Sequence, residues 1–486
     1  MDLAELTGLS IYPRSVADVD EVTYFLARDA AGKHLGIRGE AAGFEGGQRG
    51  DGVFLGPLSP VNAARLRDRL PWLRPQPLGL NQSVGCGDRL GLATPGHIRA
   101  VRAAEGIAPI LAQQSMRENA RTGRTPQQVM DEAMWGVFQE GWREPWGADA
   151  DHLKTTGDID ACVAAGYTFF TIDPGDHVDS EVDRQPVPTG GGGEEEGKLA
   201  GKLDRLPWQD LDDPARLNTR YLGRQFEVEG LILEFERVTL MRAAAKYGCA
   251  IAHTARMYRH LAAALGSRSF ELEVSVDETA TPTSPLEHWF IASELARLGV
   301  QWVGLAPRYV GRFEKGVDYI GDLHEFETEF AKHAAIARAL GPYKLSLHSG
   351  SDKFSVYPLV ARQARELVHL KTAGTSYLEA LRALAGVNPL LFRQILSLAL
   401  QHYETDKATY HVSADLTRVP LPANLADDEL GAILDLFDGR EVLHVTFGSV
   451  LDRFGGQLRA VLAAHEEAHY AALEVHFGRH LSPFTR

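Results

Sequence analysis

The sequence predicts an α/β protein: a (β/α)8 TIM barrel with a small N-terminal α+β cap and a helical C-terminal extension. Three observations predict it. From Leu78 onward, short apolar runs of strand type alternate with helical stretches, the rhythm of parallel strands joined by crossover helices. Eight strands of this kind can be marked, which fits a closed barrel better than an open sheet. Three of them break abruptly at their C-terminal ends into His, Asp, Glu, Ser and Lys: GADADHLKT at Gly147–Thr155, FELEVSVDETATPTSPLEH at Phe270–His288 and YKLSLHSGSDK at Tyr343–Lys353. Strands look like this when their bodies are buried and their ends open into a polar mouth.

Residues 1–76 form the cap. Val22–Leu26 and Val53–Leu55 read as strands, GFEGGQRGDG between them as turns, and Asn62–Leu70 as a helix stopped by Pro71. Residues 77–426 form the barrel, with strands at Asn81–Cys86, Ile107–Gln113, Ala148–His152, Tyr167–Asp173, Phe270–Val276, Gln301–Leu305, Tyr343–His348 and Tyr410–Ala414. Thr125–Trp142 reads as a helix because Thr125-Pro126 supplies an N-cap and an N1 proline. Phe226–Leu265 reads as a long helical stretch interrupted near Gly248, and Leu323–Leu340 and Leu359–Leu384 contain further helices. Residues 179–213 include PVPTGGGGEEEGKLAGK, a polar Gly-rich insertion read as a flexible loop over the mouth, with a lid as the alternative. Residues 427–486 are mainly helical, with a strand candidate at Val442–Phe447 and a last helix at Ser449–Phe477 packed on the barrel.

The 486 residues carry 50 Lys+Arg against 65 Asp+Glu, a formal charge of −15, which argues against a nucleic-acid or anionic-membrane partner. Cys86, Cys162 and Cys249 are sparse and unpaired in spacing, as expected in a reducing cytoplasm. The N-terminus lacks a basic segment followed by an apolar core, and no apolar run is long enough to span a bilayer. The expected partner is therefore a small molecule; the oligomeric state is not readable.

The candidate chemistry sits at the strand ends. Asp151-His152 pairs a proton carrier with a metal-binding imidazole, and Lys154 crowds the same turn. Asp173, Asp176 and His177 end the next strand. In FELEVSVDET, Glu273 lies deep in a strong strand and needs a partner or a catalytic role. His348 ends an alternating strand and is followed by Ser349-Gly350-Ser351, then Asp352 and Lys353; it is the best single metal-ligand candidate. Arg308 offers a bidentate carboxylate site, with Arg89, Arg117 and Arg121 as further candidates. His411 is a weaker ligand candidate.

Two motif matches point elsewhere. His465-Glu466-Glu467-Ala468-His469 fits the H-E-x-x-H zinc-protease pattern but stands near the end of the chain, so a solvated charged helix is the preferred reading. Gly192–Lys198 fits GxxxxGK, but Leu199 replaces the required Ser/Thr and three glutamates fill its interior.

At this point two resemblances enter. Asp151-His152, LEVSVDE and LHSGSD are similar, in order and spacing, to the sites of class II metal-dependent ketose aldolases. Pro307-Arg308 stands where those proteins usually have a ligand histidine, which leaves the third ligand open among Glu273, His177 and His411. More closely, GDRLGLATPGHIRA, QQSMRENARTGRT, WGVFQEG, TIDPGDHV, VDETATPT, GRFEKGVDYIGD and LHSGSDKFSVYP resemble the tagaturonate/fructuronate epimerase family, the metal-dependent hexuronate epimerases. The resemblance implies interconversion of D-tagaturonate and D-fructuronate, with fructose/tagatose as the neutral counterpart, by retro-aldol chemistry. It implies a divalent cation (Mn, Co, Ni or Zn) held by His152, His348 and His177. Asp151, Glu273 and Asp176 would be the catalytic acids, and Arg308, Lys154, Lys353 and Asp352 the substrate-binding residues. No GxGxxG follows a strand, so no NAD is expected. The alternatives are an aldolase that releases two fragments and a sugar-acid-binding protein without turnover.

Overall fold

The computed structural model describes residues 3–49, 52–183 and 193–485. Eight parallel strands close into a barrel in sequence order: β1 (Ser83–Gly85), β2 (Ala108–Ser115), β3 (Gly147–Leu153), β4 (Phe169–Ile172), β5 (Glu271–Val276), β6 (Gly304–Pro307), β7 (Lys344–Leu347) and β8 (Val368–Lys371). Each pairs with the next, and β8 returns to β1. Leu272, Val274 and Val276 alternate outward into the main hydrophobic core beneath the helices. Glu271, Glu273 and Ser275 face the other way. The barrel interior is polar for the same reason on β3, β4, β7 and β8, where Asp149, Thr171, Ser346 and Lys371 meet Glu273 or one another.

The eighth strand corrects the sequence reading. Tyr410–Ala414 is an extended segment with no ladder, and its Ser413 N–H is taken by the Glu441 carboxyl instead. The strand is Val368–Lys371, inside the stretch read as helical; residues Arg365 and Glu366 at φ 51° and 74° end the preceding helix and permit it. Val442–Phe447 is not a strand either. It is mostly the end of helix Phe437–Val445, buried from Asp438 to Val445, and an apolar run buried all round carries no helix–strand distinction in its periodicity.

Before the long helix Arg237–Leu265 stands a hairpin, Gln225–Val228 with Leu231–Glu234, turned through Glu229-Gly230 with both φ positive. That helix runs unbroken past Gly248, where a Cβ would lie 2.8 Å from Leu206, so this glycine serves close packing rather than a break. In the insertion, residues 184–192 lie outside the described residues. Gly193–Leu203 is a helix, not a loop: Leu199 buries against Val182 and against Met241 and Ala245 on the long helix. The GxxxxGK match begins outside the described residues and continues in this helix.

The N-terminal residues form an antiparallel sheet of six strands among the described residues. It is tied to the far end of the chain: Tyr12, Arg28 and Lys33 converge on Glu466 at 2.7, 2.9 and 3.0 Å. Arg99 takes Glu467, and His469 is buried. The H-E-x-x-H residues therefore dock the chain ends. The predicted last helix is two, Phe447–Ala464 and Glu466–Leu481, and the second is not the solvated helix expected: His469, Tyr470, Leu473, His476, Phe477 and His480 are buried. No helix among the described residues is long and apolar enough to cross a membrane.

The C-terminal helices carry their own hydrophobic core and reach the barrel mouth through Glu441. Its buried carboxyl faces Glu314 on the loop after β6, and burial together with Glu314 pushes it up to about 8. A folded-state value above the ordinary 4.5 means that the folded chain holds an extra proton between about pH 4.5 and 8. The stability it contributes is complete at the acid end of that window and lost as pH rises through 8. Glu441→Gln stays neutral throughout. Thermal denaturation should show it melting about 1–3 °C above the parent at pH 8.5–9 and level with it near pH 5; equal melting temperatures at both would mean that the pair carries no shared proton.

Candidate active site

Strand alternation sends Asp149 and Asp151 into the barrel from β3 and leaves His152 at the rim. His152 has φ 55°, a left-handed conformation strained for a side chain of this size, and its Nδ1 is 2.8 Å from Asp151 Oδ1. Across the mouth, β7 delivers His348. Its Nε2 is 2.5 Å from Glu273 Oε1, and its Nδ1 is 3.2 Å from Ser275 Oγ and 3.4 Å from Asp277. The two imidazole rings lie 4.9 Å apart.

Beneath them, at the end of β8, sits Lys371. Its Nζ is 2.6 Å from Asp151, 2.7 Å from Thr171 and 2.9 Å from both Asp149 and Glu273. Burial works against its charge, yet the three carboxylates hold its pKa well above the lysine range. Burial likewise opposes charge on Asp151 and Glu273. His152 and Lys371 hold the former, and Lys371 and His348 the latter, well below the carboxylate range. Burial pushes Asp149 up, to about 7. At His152 burial disfavours the imidazolium, but Asp151 prevails and lifts it to about 10. The mouth thus stabilises positive charge at the imidazoles.

This bears on a metal. Ligand atoms of Asp151, His152 and His348 all lie within 4.8 Å of one another. Two imidazoles with a carboxylate beside them, and no thiolate, suit Mn, Co, Ni or Zn. The nearby carboxylates of Glu273 and Asp277 exceed the single ammonium of Lys371. The residues present fit a divalent cation.

The cluster opens into a pocket, and the character of its walls changes outward. Arg89, from the loop after β1, is buried between Glu118 (2.7 and 2.9 Å), the face of Phe447 and His444. An arginine only donates, so His444 Nε2 accepts from it and Nδ1 carries the proton. Arg117, Lys315, Ser349 and Tyr410 complete this wall; Tyr410 and His444 come from the C-terminal region.

Asp151, His152 and His348 meet at this pocket, and Glu273 lies directly behind His348. The other expected residues do not join them. His177 is exposed and stacks on His253 at 4.0 Å, pulled away by the short 3-10 turn Gly175–His177. Asp176 pairs with Lys154 at 2.8 Å on the outer rim. Arg308 faces Asp277 but does not line the pocket. His411 is exposed. Lys353 is buried and saturated: its Nζ donates to the carbonyls of Glu314, Val317 and Ser351 at 2.7, 2.5 and 2.9 Å. Asp352 is buried against Arg440 (2.9 Å) and His476 (2.5 Å). Asp352, His476 and His480 form a second group with metal-ligand spacing, but Arg440 already supplies its cation. These two residues hold the loop and have no face left for a substrate. Sequence reading missed Lys371, Lys315, Tyr410 and His444. Only Lys371 had a usable signal, the VHLKT alternation that places it beside His369 on one strand face.

A family model of tagaturonate epimerases matches residues 12–484. The tagaturonate/fructuronate epimerase of Thermotoga maritima is 44% identical over 482 residues, 98% of this chain and 96% of that one. Two crystal structures of the fructuronate-tagaturonate epimerase of Cohnella laeviribosi, one native and one complexed with one glycerol, superpose with a TM-score of 0.92. Both are 38% identical, over 99% of this chain and 97% of theirs.

Removing the Lys371 charge isolates its role. Lys371→Met keeps the stem and leaves three buried acids without their ammonium. Denaturation should show a loss of about 3–5 kcal/mol, the range for breaking a buried ion pair from one side. A loss under 1 kcal/mol would mean the acids are neutral in the folded chain.

Proposed function

The chain belongs to the tagaturonate epimerase family and is an isomerase, and from that premise we propose that it interconverts D-tagaturonate and D-fructuronate by retro-aldol cleavage and re-addition. The observation that carries the reading is the meeting of Asp151, His152 and His348 at one pocket. The inverted carbon is β to the ketone. Its C–H is not acidic, so simple deprotonation cannot invert it, whereas breaking and remaking the neighbouring C–C bond can.

His152 and His348 are the residues that would hold a divalent cation. Bound there, it would supply Lewis acidity for the ketone and for the charge that develops on it. Asp151 lines the pocket, and among the described residues its Oδ2 meets only Gln113, at 3.2 Å. It takes the proton from the hydroxyl on the inverting carbon. The C–C bond to the carbon next to the ketone then breaks, and its electron pair forms an enediolate. The aldehyde half rotates, presents its other face, and the enediolate re-adds. Asp151 returns the proton to the new alkoxide. Glu273 and Lys371 keep Asp151 and His348 in place. The neutral fructose/tagatose pair has the same reacting atoms.

Metal removal is the first test. Chelation should abolish turnover, and Mn²⁺, Co²⁺, Ni²⁺ or Zn²⁺ should restore it to different extents. His152→Ala and His348→Ala should each lose stoichiometric metal by elemental analysis; retention by either removes it from the ligand set.

The second test is isotopic. Turnover in D₂O should leave the inverted carbon free of solvent deuterium, since its C–H never breaks; deuterium there overturns the retro-aldol route. Asp151→Asn should retain metal and lose about 10²–10⁴ in kcat, the range for general acid–base help. Loss of metal in that variant would instead make Asp151 a ligand.

A further inference from the structure

The pocket has two electrical ends. Around the barrel axis, the carboxylates of Asp151, Glu273 and Asp277 outnumber the ammonium of Lys371, and the imidazoles of His152 and His348 meet the excess. Along the outer wall the balance reverses. Glu118 is ionised there, since burial is outweighed by Arg89, and Arg89 cancels its charge at 2.7 Å. That leaves Arg117 and Lys315. Arg117 meets Glu278 only at 3.7 Å, both more than 40% exposed, so solvent screens the pair. Lys315 is half-buried, and among the described residues its ammonium touches Ser349 Oγ at 2.8 Å and no carboxylate. Ser349 follows His348, so this cation stands beside the metal-ligand cluster.

Lys315 is also held in place. The loop that carries it is fixed from one side by Lys353, which donates to the Glu314 and Val317 carbonyls. On the other side Arg440 Nε donates to the Gly316 carbonyl at 2.7 Å, and Ser413 Oγ donates to Glu314 at 2.7 Å. Two buried cations and a serine hydroxyl serve to place one cation that they leave unpaired. Such a fixed, undersatisfied ammonium on a pocket wall is a receptor for an anionic group.

We infer that Lys315, with Arg117, is the subsite for the carboxylate of a sugar acid, and that it selects the acid over the neutral sugar of the same carbon skeleton. The inference rests on the epimerase reading above. The His152–His348 end, where a cation would sit, takes the hydroxyketone, and the wall of Lys315 and Arg117 takes the carboxylate, so the substrate has one orientation.

Lys315→Met, Lys315→Arg and Arg117→Met are assayed with metal-loaded enzyme on the keto-hexuronate and on the neutral ketohexose, the latter as a competitive inhibitor if it is not turned over. Lys315→Met should raise KM for the keto-hexuronate roughly 10–100-fold, the loss of one charge-assisted hydrogen bond. Arg117→Met should move KM in the same direction, and Lys315→Arg should retain most of the affinity. The KM or Ki of the neutral sugar should stay within about twofold. A KM for the acid within twofold of the parent, or equal losses for acid and neutral sugar, overturns the inference. Absence of epimerisation by the parent enzyme would sink the epimerase reading instead. Calorimetric titration of the keto-hexuronate into parent and Lys315→Met then decides the subsite by itself: equal affinity, or no binding to the parent, overturns it.

Discussion

The ammonium of Lys371 touches Asp149, Asp151 and Glu273 at once, and this contact is what lets β3, β5 and β8 close with acids facing inward. Barrels of this class are usually filled by Val, Ile and Leu in layers. Here the layer nearest the mouth is ionic. Three carboxylates in a water-excluded interior would neutralise or force the strands apart without a counter-charge. One lysine offsets one of them. The remaining negative charge is met by the imidazoles of His152 and His348, either as imidazolium or with a cation between them.

The fold was legible where sequence carried polar strand ends. GADADHL, FELEVSV and KLSLH announce both a buried strand and an opening, and the structure has strands at all three. The eighth strand was missed, although VHLKT alternates, because helical neighbours on both sides masked it. Tyr410–Ala414 has better strand composition, but it lies on the C-terminal side of the mouth with no neighbouring strand to pair. In the site, the histidines next to strand ends were visible, whereas Lys315 was not: a lysine in GRFEKGV has no pattern, and its position depends on Lys353 and Arg440, which are remote in sequence. Lys353 and Asp352 misled for the complementary reason. They follow His348 directly, but burial turns them toward the protein.

The region after the barrel does more than pack. His444 orients Arg89, Tyr410 meets Arg121, and Arg440 and Glu441 hold the loop bearing Lys315. The strands thus build the acidic end of the pocket, and the extension completes the basic end. The N-terminal sheet, gripping Glu466 through Tyr12, Arg28 and Lys33, secures that extension in turn.

The two-ended pocket bears on why the chemistry would end in epimerisation rather than cleavage. A retro-aldol step produces two fragments, and an aldolase must let them go. An epimerase must keep both and allow one to turn. In the proposed reaction the enediolate half stays at the His152–His348 end, while the aldehyde half carries the carboxylate and stays at Lys315 and Arg117. Anchoring the second fragment by its charged terminus leaves the aldehyde carbon free to rotate about its own C–C bond and present either face. Re-addition is then intramolecular in effect, with a high effective concentration, and competes well with escape. A neutral ketohexose lacks that anchor, so its aldehyde fragment is the one that such a site would lose.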